Sequence, residues 1–274
     1  MKELLLETSI HWAAVIVYVA ATIANATGLI FRKPRIESAS YIVVLSGLLV
    51  HSGALALRWI ASGHGPYMVR YEVLSSNAWV ALATFLVFSR LYPRIKPASI
   101  VVFPASFLMI ALGLFFNPAI RRLPPSLSGI WLVLHIGFYK IALATMIIAL
   151  AFSVLYLWKK HRPAPWLDVF PDPETMDRFA YRFAGFGFTF WAIGMLAGSI
   201  WAYHAWGSFW SWDPVETWAL LTWLAFGVYL HLRRFFGWKD ERAAYLYIAC
   251  FGLALLTIFG TSLIEVSLHS EYFR

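Results

Sequence analysis

Charged residues are scarce: they make up 13% of the 274-residue chain, against about a quarter in soluble proteins. Cysteine is scarcer still, occurring once at Cys250, which excludes an intrachain disulfide, a cysteine-based zinc site and a covalent c-type haem attachment motif within this chain. No repeat, low-complexity tract or linker to a separate soluble domain is visible. What is abundant is apolar surface, at 61% hydrophobic residues, 18% aromatics and a mean hydropathy of +0.68. That composition leaves too little polar surface to cover a globule, whereas a bilayer accepts apolar side chains outward. The net charge of +8 does not point to nucleic acid, because the basic residues sit between apolar segments, as in a membrane topology signal.

The expected fold is an all-α polytopic membrane protein forming one transmembrane domain over residues 1–274. Apolar runs near 8–31, 40–60, 74–92, 98–116, 130–158, 182–202, 215–236 and 243–266 are each long enough to cross about 30 Å at 1.5 Å per residue. Pro104 interrupts the fourth. The first run is longer than a secretory h-region, follows one lysine and has no evident cleavage site, so a signal peptide is not expected. Alternate loops carry fifteen Lys and Arg on one side and six on the other, with Lys140 inside a span. The positive-inside rule makes the richer side cytoplasmic and puts both termini outside. The expected location is therefore the plasma (inner) membrane, multi-pass. In the 159–181 connection, Asp172-Pro173-Glu174 reads as the N-cap and first turn of a helix running into the sixth span.

The outward connection between spans six and seven, residues 203–218, has no basic residue and carries Trp206, Trp210, Trp212 and Trp218. One or two tryptophans at a helix end would be an ordinary interfacial belt; four form an aromatic shelf. Asp213 followed by Pro214 reads as a helix start, with Glu216 in the first turn suiting the helix dipole. Such a shelf suits a large, flat, apolar ligand. His135, five residues into the fifth span, and His269, just beyond the eighth, fall on the same side, and two imidazoles can hold haem iron from opposite faces.

Gly207-Ser-Phe-Trp-Ser-Trp-Asp-Pro-Val-Glu-Thr-Trp218 resembles the tryptophan-rich WWD signature of the CcsA/CcmC haem-handling proteins of cytochrome c maturation. Asp177-Arg-Phe-Ala-Tyr-Arg182, Tyr229-Leu-His231-Leu-Arg233 and Ser267-Leu-His-Ser270 are similar to the eight-span CcsA (ResC) branch, and Tyr71-Glu72 to a segment before its third span. The resemblance implies that His135 and His269 are axial ligands of an external, non-covalent haem b. It makes Trp206, Trp210, Trp212, Asp213, Glu216 and Trp218 the haem-binding loop and His231 the intramembrane histidine. It further implies a CcsB (ResB)-like membrane partner, an apocytochrome c bearing Cys-x-x-Cys-His, a thiol-reducing thioredoxin-like protein, and membership of a CcsB–CcsA holocytochrome c synthase in which no side chain of this chain is a nucleophile. The family's second intramembrane histidine comes from the CcsB part, which this chain lacks; His51 is the candidate substitute. Arg58, Arg70, Arg121 and Arg122 face outward and are candidates to clamp haem propionates, with ordinary surface charge as the alternative. Lys140, an intramembrane charge, is a functional candidate, with snorkelling or pairing with Glu265 as the alternatives, and His11, His64 and His204 carry no assignment. Two other functions stay open: a b-type cytochrome subunit passing electrons to quinone, and a HemX-like membrane scaffold.

Overall fold

A computed structural model describes residues 2–162 and 164–260. Among them the secondary structure is helical throughout, in eight long helices: α1 (Lys2–Ile30), α2 (Pro34–Ser62), α3 (Arg70–Leu91), α4 (Ser99–Gly113), α5 (Ile130–His161), α6 (Pro173–Trp206), α7 (Pro214–Phe235) and α8 (Asp240–Leu255). With the 3-10 turn Pro93–Ala98 leading into α4 and the π turn Leu256–Gly260 extending α8, all eight are long and apolar enough to span a bilayer, making this a multi-pass membrane protein. α4 runs through Pro104 without a break. The amide this residue lacks is one that membrane helices routinely forgo, since local adjustment re-satisfies the freed carbonyl.

Contacts divide the chain into two compact units. The first holds α1–α4 and the short turn Pro165–Val169. Within its apolar core lies a buried cluster of polar and charged side chains, which the apolar runs gave no reason to expect. Arg58, only 1% exposed, donates from Nε to Glu72 Oε1 at 2.7 Å, from Nη1 to the Pro118 carbonyl at 2.6 Å and from Nη2 to the Ala119 carbonyl at 2.9 Å. Glu7 Oε2 lies 3.5 Å from Nη1. The Glu72 carboxylate also accepts from the Met68 amide at 2.7 Å, so it holds the first turn of α3 as well as the guanidinium. Arg58 is therefore a buried strut between α1, α2, α3 and the 118–119 backbone, and both expectations for it, ordinary surface charge and an outward reach to a propionate, are overturned. Its charge is tolerable at this depth because two carboxylates and two carbonyls replace water.

A hydrogen-bonded chain continues from that cluster along α1. One placement of protons satisfies every link: Tyr18 Oη donates to His51 Nδ1 (3.1 Å), His51 Nε2 to Ser75 Oγ (2.8 Å), and Ser75 Oγ to His11 Nε2 (2.9 Å). His11 Nδ1 then donates to the Glu7 carbonyl (3.1 Å) and Tyr71 Oη to Glu7 Oε1 (3.0 Å). α1 extends N-terminally past the expected start at residue 8, and that extra turn brings Glu7 into this network.

The second unit holds α5–α8. Glycines let α5 settle closely on α6: a Cβ at Gly187 would lie 2.6 Å from Met146 Cγ, and one at Gly194 2.9 Å from Tyr139 Cδ2. This small-residue seam is the membrane route to close helix packing, since lipid offers little hydrophobic drive between helices. Tryptophan N–H groups tie the elements to backbone carbonyls: Trp191 to Ala219 at 3.1 Å, Trp223 to Phe188 at 3.2 Å and Trp201 to Leu127 at 2.8 Å. At the opposite end of the bundle, Arg233 of α7 makes a two-pronged ion pair with Asp177 of α6 and stands over the Tyr181 ring at 5.0 Å.

Candidate functional site

The tryptophan-rich loop is built by two helix ends. α6 stops at Gly207, whose φ of +80° is the left-handed C-cap that glycine adopts without strain; its amide reaches back to the Tyr203 carbonyl at 2.9 Å. α7 starts at Pro214, with Asp213 as N-cap accepting from the Val215 amide at 2.9 Å. Glu216 folds back so that Oε2 accepts from the Ser211 amide (2.8 Å) and from Ser211 Oγ (3.2 Å), and Thr217 Oγ1 donates to the Trp212 carbonyl at 3.2 Å. These bonds hold Trp212 at a φ of +58°, a conformation a bulky residue avoids unless its surroundings impose it. Within the loop Tyr203 and Phe209 stack at 4.3 Å, Trp201 and Trp206 meet edge-on at 4.9 Å, and Trp210 and Trp212 edge-on at 5.8 Å.

Beneath the loop lies a cavity of about 200 Å³ within the second unit. His135, Tyr139, Met195, Trp201, Phe209, Trp210 and Glu216 line it, with Thr257 and Ile258 from the π turn at the end of α8. Single-turn π segments recur at functional sites, because the extra residue re-aims side chains. Here the turn places Thr257 Oγ1 within 2.6 Å of Thr222 Oγ1 on α7.

His135 is the candidate ligating side chain of this cavity. Its Nδ1 donates to the Gly194 carbonyl at 2.8 Å, which leaves Nε2 as the nitrogen carrying the lone pair, the tautomer that metal-binding histidines adopt. The ring rests edge-on against Tyr139 at 4.9 Å and lies nearly parallel to Trp201 at 6.2 Å. Directly behind it is Gly198, where a Cβ would collide with the imidazole. Trp210 contributes a second relevant feature: its Nε1 is buried with no hydrogen-bond acceptor among the described residues. An indole donor left unmet in a cavity is costly unless a bound acceptor supplies the bond. Among the described residues no three His, Cys, Asp or Glu side chains cluster as a metal site. A porphyrin iron needs only one or two protein ligands, and a haem carries carboxylates to meet an indole N–H, so this residue set fits haem bound as a substrate.

The other expected site residues divide by position. Trp206 packs against Trp201 behind the cavity wall, and Asp213 acts as the N-cap of α7. Trp212 in the loop and Trp218 in the first turns of α7 are 70% and 37% exposed and do not line the cavity. His231 lies fifteen residues beyond Glu216, about 22 Å along α7, exposed on the helix flank with Phe235 4.7 Å away. His51 belongs to the first unit and is fully buried with both ring nitrogens in hydrogen bonds, so as it stands it is a core residue with no nitrogen turned to a ligand. His269 and Glu265 lie outside the described residues. Arg121 and Arg122 are exposed, and His64 bridges the Gly65 and Arg121 carbonyls at 2.6 and 2.7 Å. Sequence reasoning missed Tyr139, Met195, Trp201, Phe209 and Thr257. Tyr139 and Met195 could have been found one turn inward from His135 and one turn inward from Gly198, since neighbours at i+4 and i−3 share a helix face.

The sequence model of a family described as "Cytochrome C assembly protein" matches residues 5–269. A "Cytochrome c biogenesis protein CcsA" of Chlamydomonas reinhardtii is 38% identical over 229 residues, covering 80% of this chain and 64% of that protein. One of Guillardia theta is 34% identical over 274 residues, covering 89% of each. The chain thus spans just under two thirds of the length of the first relative and most of the second. Among solved structures, "Cytochrome c Heme Lyase CcmF" superposes over the whole of this chain and 49% of its own with a TM-score of 0.70 at 16% identity, a likeness of fold.

Proposed function

This chain belongs to the cytochrome c assembly protein family, and from that premise we propose that it is the subunit that holds non-covalent haem b at the outer face of the plasma membrane for attachment to an apocytochrome c. The observation that carries the reading is His135: a lone-pair-bearing imidazole fixed by the Gly194 carbonyl, at an aromatic cavity under the WWD loop. His269 is the proposed second axial ligand. The unmet Trp210 N–H receives a haem propionate, and the shelf of Trp201, Phe209 and Trp210 buries one porphyrin face.

The chemistry at the bound haem is the addition of a cysteine thiol across each vinyl group: sulfur joins one vinyl carbon and the thiol hydrogen the other, so no leaving group or nucleophile from this chain is needed. The protein's share is position, exclusion of water and control of the iron by its axial ligands. Partners in this reading are a CcsB (ResB)-like membrane protein, completing a holocytochrome c synthase, a thioredoxin-like reductant that keeps the Cys-x-x-Cys-His thiols reduced, and the apocytochrome itself. His231, at the far end of α7, is the proposed inner contact for arriving haem.

Purified protein is expected to carry haem with a bis-histidine spectrum, and His135→Ala to lower occupancy, with exogenous imidazole restoring the spectrum by filling the vacant axial position. Unchanged haem content and spectrum in that variant would exclude His135 as a ligand. For the face, a cysteine introduced by Ser208→Cys should react with an impermeant thiol reagent in intact cells and one introduced by Ala164→Cys should not; the opposite pattern inverts the topology.

A further inference from the structure

The first unit has a recess that the haem reading does not use. It lies between the start of α2 and the last turn of α3, at the end of the bundle rich in basic loops, and measures about 430 Å³. Its inner part is apolar, lined by Ile42 and Leu45 of α2 and Leu86 and Val87 of α3. Ile42, Val87 and Leu45 remain 71%, 58% and 43% exposed, so the unit's own helices do not fill it. Its rim is cationic: Arg90 closes α3 and Lys96 stands on the following 3-10 turn. Neither forms an ion pair among the described residues. Lys96 is nonetheless held in place, its ammonium 5.6 Å from the centre of the Tyr41 ring, while Tyr41 Oη donates to the Lys96 carbonyl at 3.0 Å. Glu37 and Ser38 complete the rim.

We propose that this recess is a binding site for one anionic phospholipid of the phosphatidylglycerol type. The match is one of chemistry and depth. A phosphate placed between Arg90 and Lys96 meets two unpaired cations where the bilayer interface lies, and an acyl chain continuing inward runs over Ile42, Leu45 and Val87. The single acid, Glu37, repels a bare phosphate but accepts from a hydroxyl, which a glycerol headgroup supplies and choline does not. An extended or irregular protein segment is a poorer occupant, because at this depth its backbone would require partners that an apolar trough does not offer.

The test uses the whole chain in detergent, titrated separately with phosphatidylglycerol, phosphatidylcholine and inorganic phosphate, with bound lipid counted by native mass spectrometry. One phosphatidylglycerol should be retained selectively, and millimolar inorganic phosphate should not displace it. At about fivefold per basic residue, Arg90→Gln with Lys96→Gln should weaken retention by roughly thirtyfold. The charge-preserving pair Arg90→Lys with Lys96→Arg should keep it, which separates loss of charge from loss of fold. Equal retention of phosphatidylcholine would overturn the proposal in favour of a general lipid annulus. Displacement by inorganic phosphate would reduce the recess to a simple anion site, and full retention in the glutamine pair would place the lipid elsewhere.

Discussion

Removing Arg58 should be among the most damaging single changes available in the first unit. The side chain is 1% exposed and its three nitrogens are committed to Glu72, Pro118 and Ala119, with Glu7 at 3.5 Å. Arg58→Met keeps much of the volume but leaves two carboxylates buried without their counter-ion, and breaking such a pair costs about 3–5 kcal/mol. At about 2–4 °C per kcal/mol for a protein of this size, the melting temperature followed by tryptophan fluorescence in detergent should fall by roughly 6–20 °C. The same logic makes a second, less intuitive demand: combining Arg58→Met with Glu7→Gln and Glu72→Gln should recover most of the loss, because no net charge then remains buried. The 114–123 segment should still become sensitive to protease in the triple variant, since the carbonyls of Pro118 and Ala119 have lost their donors. A single variant that melts like the parent, or a triple variant less stable than the single one, would refute the strut.

Gly198→Ala places a methyl group against the His135 ring and should push the imidazole off the Gly194 carbonyl, so haem content falls and the optical spectrum shifts while the melting temperature of the haem-free protein changes little; an unaltered spectrum would show that the seat is not needed. His51→Leu strips Ser75 and Tyr18 of a buried partner and should cost about 1–3 kcal/mol, yet haem per folded molecule should be unchanged, whereas a selective loss of haem would restore His51 as a ligand. Asp172 sits outside the spans, and the hydrogen bond from the Thr175 amide holds its carboxyl below the usual carboxylate range. Its contribution is therefore present at pH values above that range and is lost as the pH falls through the lowered value. Amide exchange in the first turn of α6 should quicken on acidification in the parent and lose that pH dependence in Asp172→Asn.

The number of spans was readable because a bilayer imposes a length and a polarity on any run that crosses it, a constraint that acts residue by residue along the chain. The start of α6 was legible for a similar reason: Asp172 before Pro173 accepts from the helix amide three positions on, and Asp213 before Pro214 does the same two positions on for α7. The aromatic loop announced itself by density alone. None of this could assign Arg58, because a charge near a helix end looks the same whether it meets water or a glutamate fifty-one positions earlier in the chain. Histidine posed the same difficulty: His51 and His135 stand in similar apolar runs, but tertiary contacts engage both nitrogens of His51 in the core of the first unit and seat His135, through its Nδ1 on the Gly194 carbonyl, at the wall of the cavity under the aromatic loop. Local pattern determined where the helices run and where the loop lies. Which polar groups are buried, and what each meets there, was decided only when residues far apart in the chain were brought within hydrogen-bonding or ion-pairing reach of one another, because the energy of a buried polar group is set by its partners and not by its neighbours in sequence.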